Sequence, residues 1–296
     1  MILKKSKSNY VRTWFEKDGS LKPLFYEIQA RFPIEDRQYY GGSWDGDGYH
    51  RNTFNKSGPS KTLKLTLEMA KDGCEPVLKL AQIFDLSIRY VDRASSGKEK
   101  YKNYQPTYSV DLAGPKAEMF LLFIYPYVVF RRPSIRKILL ERGIPERLLK
   151  SYVTFSWPYL AGFADAEGTY TAYLRHEKVQ RKKGMMISSS YKFCFRLPNT
   201  DFSSLDFIKN KIIEAGFEFR KDLVKHHPGE KVGPSILSRH GNPDNWNPCK
   251  IITLRGSPVE LSRFYKNFYM YSLIKKKKDV MERTMSYSNI IFRDEA

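Results

Sequence analysis

The chain has 296 residues and a formal net charge of +19, and 15% of its residues are aromatic. The aromatic content excludes a disordered basic tail, and the charge favours a polyanionic partner. Three widely spaced cysteines (Cys74, Cys194 and Cys249) indicate a reducing intracellular compartment, and no apolar run reaches the roughly 20 residues of a membrane span or opens the chain as a signal peptide.

Helices and strand pairs alternate in the first half. Residues 1–33 are basic and aromatic without a clear period, so we expect them to form an extension of the first domain. Between residues 61 and 69, apolar side chains alternate with Lys64, Thr66 and Glu68, which predicts a strand with one buried and one solvated face. The predicted elements are helices at 34–48, 75–84 and 115–125 and strands at 49–55, 61–69, 87–92 and 106–112.

The second half repeats this order after a linker at 131–156. Its predicted elements are helices at 157–168, 202–215, 258–271 and 274–286 and strands at 169–177, 187–197, 217–224 and 250–255. The sequence therefore predicts an α+β fold of two pseudo-symmetric αββαββα domains, at 1–130 and 157–296. Each domain would carry a four-stranded antiparallel sheet with helices on one face. The two polar faces would form a concave basic saddle, suited to the major groove of duplex DNA.

Two short stretches, YGGSWDGDG at residues 40–48 and LAGFADAEG at residues 160–168, share one pattern 120 residues apart. The pattern is an apolar or aromatic residue, a small residue, Gly, two variable residues, Asp, a small residue, an acid and Gly. We expect each stretch to be a helix whose last Gly takes a left-handed cap conformation. Small residues four apart, Gly42 with Gly46 and Gly162 with Ala166, share a helix face and predict close helix packing.

Close packing of these faces would bring the acids at the two helix ends, Asp47 and Glu167, side by side. The partial negative charge of a helix C-terminus disfavours an acid there, and two adjacent acids repel each other. A bound cation removes both objections, and carboxylate and carbonyl oxygens suit Mg²⁺. Metal ions held between two carboxylates support phosphodiester cleavage, so these residues suggest a metal-dependent nuclease.

The second stretch closely resembles the LAGLIDADG motif, and the first is similar to a degraded copy in which Tyr40, Gly41 and Trp44 depart from the pattern. The resemblance to the LAGLIDADG homing endonucleases covers the chain from residue 34 to residue 286. It implies a monomeric, Mg²⁺-dependent enzyme, encoded in a mobile intron or intein, that cuts both strands of a long double-stranded DNA target. Because Trp44 is bulky at a packing position, we expect asymmetric helix packing and unequal cutting of the two strands.

The same resemblance implies roles for individual residues. The implied metal ligands are Asp47, Glu167 and the carbonyls of Gly46 and Ala166. A basic residue after each closing helix, Arg131 or Lys275, would polarise the scissile phosphate or orient water. A polar residue after the second strand of each half, Lys71 or Asn199, would order solvent.

DNA contacts are expected from polar side chains on the solvated face of each sheet. Arg and Lys suit guanine and Asn suits adenine, although many such contacts go to phosphates. The predicted DNA-binding residues are Arg51, Thr53, Asn55, Lys64, Thr66 and Glu68 in the first half and Thr171, Tyr173, Arg175, Lys192, Arg196 and Lys221 in the second.

Two other functions fit the same predicted fold. One is an RNA maturase that binds intron RNA and assists its splicing, and the other is a DNA-binding regulator without a metal site. The acids at both motifs favour the endonuclease, because a pure binding protein has no use for them. Metal dependence and the choice between duplex DNA and structured RNA would discriminate among the three.

Overall fold

The computed structural model describes residues 23–47, 49–54, 61–96, 105–150, 155–181, 184–220, 223–225, 248–254 and 256–294. The first half and the linker contain α1 (Pro23–Arg31), α2 (Ile34–Asp47), β1 (Tyr49–Phe54), β2 (Lys61–Ala70), α3 (Glu75–Phe84), β3 (Ile88–Val91), β4 (Thr107–Ala113), α4 (Pro115–Ile124) and α5 (Arg132–Glu141). The second half contains α6 (Trp157–Glu167), β5 (Thr169–Arg181), β6 (Gly184–Asn199), α7 (Phe202–Glu214), β7 (Leu223–Lys225), β8 (Cys249–Thr253), α8 (Pro258–Lys266) and α9 (Lys275–Asp294).

The strands form two antiparallel four-stranded sheets, in the orders β1-β2-β4-β3 and β5-β6-β8-β7. Leu63, Leu65 and Leu67 on β2 are at most 2% exposed, while the polar residues between them are partly exposed. Phe195 and Leu197 on β6 are likewise fully buried. The core therefore lies on one face of each sheet, and the predicted fold class of two pseudo-symmetric α+β halves is confirmed.

Several helices begin where the sequence supplies a cap. The Ser156 side chain accepts a hydrogen bond from Tyr159 N–H at the start of α6, and the Asp201 side chain does the same for Ser204 at the start of α7. Ser257 and Glu260 form a capping box at the start of α8. Among the described residues, no helix is both long enough and apolar enough to cross a membrane.

The structure differs from the predicted elements near both ends of the chain and at the β5–β6 hairpin. Within the predicted extension, α1 buries Phe25 and Ile28 in the first core, and Phe32 follows at 0% exposure. The β5–β6 pairing continues to Arg181 opposite Gly184, although the basic residues there predict a turn from residue 180. The last helix extends to Asp294 rather than residue 286. Backbone pairing and tertiary packing thus override the local charge pattern.

The motif helices α2 and α6 pack against each other at backbone distance. A Cβ built on Gly42 would lie 2.0 Å from the carbonyl oxygen of Tyr159, and one on Gly162 would lie 1.8 Å from that of Tyr39. Only glycine permits this approach, as the spacing predicts. The approach is nearly equal at these two glycines. Trp44 packs against Phe120 in the first core, with ring centroids 5.3 Å apart, so its bulk does not hold the helices apart at this point.

Candidate active site

The C-terminal ends of α2 and α6 lie in contact. A Cβ built on Gly46 would lie 2.6 Å from Ala166 Cβ and 3.1 Å from Glu167 Cγ. The absence of a side chain at position 46 therefore lets Glu167 lie directly against the end of α2. Asp47 is the last residue of α2, and its side chain is outside the described part of the structure. The helix ends meet as the motif spacing predicts.

Gly168 ends α6 in an extended conformation, with φ of −73° and ψ of 144°, so the predicted left-handed cap is wrong for this helix. Its N–H donates to the Ala164 carbonyl at 2.7 Å. A Cβ at Gly168 would lie 2.4 Å from that oxygen. Glycine is required here because the backbone folds back closely on the helix end. The corresponding Gly48 lies outside the described residues.

A first cleft, of about 280 Å³, lies between the end of α2 and the residues after β6. It brings together four of the predicted site residues, which come from four separate segments of the chain. They are Gly46, Arg131, Glu167 and Asn199. Asp201 and Ser204, at the start of α7, also line this cleft. A carboxylate, a helix-end carbonyl, a guanidinium and an amide thus share one solvent-accessible space.

A second cleft, of about 450 Å³, lies between the end of α6 and the residues after β2. Two of the predicted site residues, Ala166 and Glu68, line it, together with Asp72, Lys276 and Lys277. Each cleft is built from the end of one motif helix and the segment that follows the second strand of the other half. The two clefts are therefore pseudo-symmetric counterparts on either side of the helix pair.

The carboxylate of Asp45, the sixth residue of the first motif, holds the chain that leads into the linker. It accepts hydrogen bonds from the backbone N–H groups of Val129 (2.7 Å), Phe130 (3.3 Å) and Arg131 (2.9 Å). A fourth donor comes from the opposite half, because the Tyr159 hydroxyl donates to Asp45 at 2.9 Å. Asp45 is 5% exposed, so these bonds satisfy a buried charge and fix the position of Arg131.

The equivalent Asp165 repeats this arrangement. It accepts hydrogen bonds from the N–H groups of Leu273 (2.8 Å) and Ile274 (3.3 Å) and from the Ser272 hydroxyl (2.8 Å). The Tyr39 hydroxyl donates to it across the interface at 2.9 Å. Each buried aspartate is therefore completed by a tyrosine from the other half, and the two bonds join the motif helices reciprocally.

Burial governs the ionisation of these groups. Burial raises the pKa of the Asp45 carboxyl, and hydrogen bonds from the Arg131 and Val129 amides partly offset that rise. Burial likewise raises the pKa of Asp165, although the positive charge of Lys277 partly offsets that rise. The pKa values of Tyr39 and Tyr159 lie well above the ordinary tyrosine value because both rings are buried beside a carboxylate. Both tyrosines therefore remain protonated donors.

The basic residues of the two clefts are not equivalent. The Arg131 guanidinium donates to the Gly46 carbonyl at 3.1 Å, as its predicted place requires. Lys275 corresponds to Arg131 in backbone position, but its ammonium pairs with Asp279 at 3.0 Å, and its side chain is 76% exposed. Lys277 instead donates to the carbonyls of Ala164 (2.8 Å) and Asp165, at the end of α6. The structure thus places Lys277, rather than Lys275, in the second cleft.

The two predicted solvent-ordering residues also differ in position. Asn199 ends β6 and lines the first cleft. Lys71 begins a short 3-10 helix (Lys71–Gly73), is exposed, and lines neither of the two clefts. Asp72 lines the second cleft in its place and pairs with Lys276 at 3.1 Å. The 3-10 turn rotates successive side chains apart, which the sequence pattern does not reveal.

The described side chains among the predicted DNA contacts have the accessibility that a solvated sheet face requires. Lys64, Thr66, Glu68 and Thr171 are partly exposed, and Lys192 and Arg196 are exposed. Arg51, Thr53, Tyr173 and Arg175 lie on described strands, but their side chains fall outside the described part. Asn55 and Lys221 lie outside the described residues altogether. Contact with DNA stays a prediction for all of them.

Sequence reasoning missed the reciprocal pairs of Tyr39 with Asp165 and Tyr159 with Asp45. A signal was present, because a tyrosine immediately precedes each motif and the two are 120 residues apart, like the motifs themselves. Lys277 was missed for a different reason. Four successive lysines, 275–278, give no pattern that selects one of them.

We expect Tyr159→Phe to destabilise the protein by about 2 kcal/mol, because a buried carboxylate loses one of its donors. Tyr265→Phe is the matched control, since its buried hydroxyl has no hydrogen-bond partner among the described residues. Its expected effect is close to zero. Urea unfolding of both variants and wild type measures the difference. Equal stability of the two variants would contradict a structural role for the Tyr159–Asp45 bond.

Solved structures with this architecture match both halves of the chain. Meganuclease I-SmaMI bound to uncleaveable DNA with a TTGT central four is 14% identical, with a TM-score of 0.55, over 88% of this chain and 90% of that chain. LAGLIDADG meganuclease I-AabMI bound to uncleaved DNA is 10% identical, with a TM-score of 0.53, over 87% and 92%. The I-SmaMI LAGLIDADG homing endonuclease bound to cleaved DNA is 14% identical, with a TM-score of 0.52, over 88% of this chain and 90% of that chain.

No protein-family model matches the chain, and no curated protein sequence matches it. At identities this low, the structural matches establish the fold. The chain has the fold of the LAGLIDADG homing endonucleases, with both halves present in one polypeptide. The resemblance carried by the two motifs is therefore confirmed for the fold.

Proposed function

We propose that the chain is a site-specific double-stranded DNA endonuclease that hydrolyses a phosphodiester bond in each strand. The observation that carries this proposal is the first cleft, where Glu167, the Gly46 carbonyl and Arg131 meet at the paired helix ends. The second cleft offers a counterpart for the other strand. The net charge of +19 supports a polyanionic substrate, and the structures of similar fold named above were solved with DNA.

The donor set at the helix ends fits a hard divalent cation such as Mg²⁺. The residues that would hold it are Asp47 and Glu167, with the carbonyls of Gly46 and Ala166, because carboxylate and carbonyl oxygens are the ligands that Mg²⁺ prefers. No group of three or more His, Cys, Asp or Glu side chains in the described part of the chain is placed to hold a metal ion. Bound Mg²⁺ would supply an activated water and charge stabilisation at the phosphate.

The protein's own cations would bind and orient the scissile phosphates. Arg131 presents a planar guanidinium to the first cleft, whereas Lys277 presents an ammonium to the second. The Asn199 amide, which lines the first cleft, would orient a water molecule there. The helix-end acids also differ in length, Asp47 against Glu167. These chemical differences support unequal cutting of the two strands, even though the helices approach each other equally closely at Gly42 and Gly162.

The test is cleavage of a plasmid library with randomised inserts, in Mg²⁺ and in EDTA. We expect linear product from a recurrent long insert in Mg²⁺ only, because bound Mg²⁺ would supply the activated water. Cleavage that persists in EDTA would contradict the metal-dependent mechanism. Tight binding to structured RNA without cleavage of any insert would contradict the endonuclease and favour the maturase.

A further inference from the structure

A network of charged side chains covers the solvated face of the first sheet and reaches the second cleft at Glu68. Strand register places Thr66 on β2 opposite Asp111 on β4, and Ser109 on β4 opposite Arg89 on β3. Asp111 Oδ2 contacts Lys64 Nζ at 2.9 Å and Arg89 Nη2 at 2.7 Å. Its other oxygen, Oδ1, accepts a hydrogen bond from the Thr66 hydroxyl at 2.7 Å. One carboxylate thus binds side chains from two other strands.

A second carboxylate on the same face binds its arginine differently. Glu68 Oε1 contacts Arg93 Nη1 at 2.6 Å, and Glu68 Oε2 accepts from Arg93 Nη2 at 2.9 Å. The Thr107 hydroxyl also donates to Glu68, at 2.8 Å. Both terminal nitrogens of Arg93 are therefore engaged by one carboxylate. The contact between Asp111 and Arg89, in contrast, is made at Nη2. Because a guanidinium carries five N–H donors, this contact does not occupy all of them.

Stability does not account for Asp111. Surface ion pairs contribute little to folding, and the side chain of Arg89 is 53% exposed. Although burial opposes it, hydrogen bonds from Lys64 and Thr66 and the charge of Arg89 hold the pKa of Asp111 below its ordinary value. An ionised carboxylate on a face that meets phosphates weakens binding by repulsion. A positioning role offsets that penalty, since a guanidinium held in place before binding loses less conformational freedom.

We propose that Arg89 reads a guanine in the major groove and that Asp111 is the residue that positions Arg89 for that contact. Arginine pairs with guanine O6 and N7 through two parallel donors, and a carboxylate bound at Nη2 restricts the direction in which the guanidinium points. Arg89 is absent from the contacts predicted by sequence, because β3 shows no alternation that marks it. The assignment rests on the proposed function, since it requires duplex DNA on this sheet face.

The experiment uses the target selected by the wild-type protein, with each base pair replaced in turn, and measures duplex binding in EDTA. We expect the wild type to prefer one G·C pair by about 5- to 150-fold, the range for a bidentate arginine contact. Arg89→Ala should abolish that preference and leave the others unchanged. Asp111→Asn should weaken the same preference by about tenfold without weakening binding to unrelated duplex.

Glu68→Gln is the control for charge, because it removes the same charge from the same face and leaves the Asp111–Arg89 contact in place. Glu68 is itself a predicted DNA contact and lines the second cleft, so a change in base preference caused by this variant is expected at another base pair. Glu68→Gln should keep the guanine preference. Equal loss of preference in Glu68→Gln and Asp111→Asn would overturn the positioning role, since charge alone would explain it. Uniform weakening at every base pair in Arg89→Ala would overturn base reading and indicate a phosphate contact. Failure of the wild type to select any duplex would overturn the proposed function as well.

Discussion

Glu167→Gln is expected to reduce cleavage by on the order of 1000-fold, because loss of a proposed metal ligand would remove several kcal/mol of transition-state stabilisation. Glu167 lies against the end of α2 and lines the first cleft with Arg131. The substitution keeps the size of the side chain, so the helix contact should persist and the sheet faces should still bind DNA. Asp47→Asn is expected to behave in the same way.

Cleavage of the selected target and binding to it are measured on the same preparation. Glu214→Gln is the matched control, because it makes the same chemical change at an exposed position at the end of α7, where Glu214 pairs with Lys211 of the same helix. It should cut at the wild-type rate. Double-strand cutting by Glu167→Gln at a comparable rate would refute the active site. Loss of binding together with cleavage would show that the residue acts through the fold.

Gly162→Ala is expected to destabilise the protein by at least about 4 kcal/mol and to lower the melting temperature by about 10 °C. The new Cβ would lie 1.8 Å from the Tyr39 carbonyl oxygen and 2.9 Å from Ser43 N, both of which are backbone atoms. Side-chain rotation cannot relieve such a contact, so the motif helices must separate. In an isolated helix, replacing Gly by Ala would instead stabilise the helix by about 1 kcal/mol. The sign of the change in unfolding free energy therefore shows whether the close helix contact decides the outcome.

Thermal unfolding with a Gly73→Ala control isolates the effect of the close approach. A Cβ at Gly73 would meet Ile274 at 3.4 Å, an ordinary contact, so this variant should melt within a few degrees of wild type. A stable Gly162→Ala protein would mean that the helices do not approach as closely as described. If Gly73→Ala were equally destabilised, the effect of Gly162→Ala could not be assigned to the close approach of the two motif helices.

Sequence alone predicted the architecture because the two motifs obey strong steric rules. Glycines four residues apart define the contact face of a helix, and no residue with a side chain can occupy Gly42 or Gly162 at the observed distance. The alternation along β2 was equally informative, since one face is buried and the other solvated. These patterns are local in the sequence, and the physical constraint behind each of them is large.

The remaining features depend on contacts that no local pattern records. Lys277 reaches the end of α6 because the start of α9 at Lys275 turns this residue toward α6. The adjacent lysines are chemically identical, so the sequence does not single out Lys277. Arg89 gains its place from strand register between β3 and β4. The buried face of α1 is marked by Phe25 and Ile28, and Phe32 follows the helix. Such a short apolar pattern does not stand out in an aromatic-rich segment.

The reciprocal tyrosine–aspartate bonds limit how halves of such proteins can be recombined. Tyr39 serves Asp165, and Tyr159 serves Asp45, so neither half completes its own buried carboxylate. A chimera that joins one half of this chain to a foreign half would keep both bonds only if the foreign half supplied its own tyrosine and aspartate at these positions. A substitution at one of these four positions would therefore favour a compensating substitution in the opposite half, so we expect the two halves to evolve together.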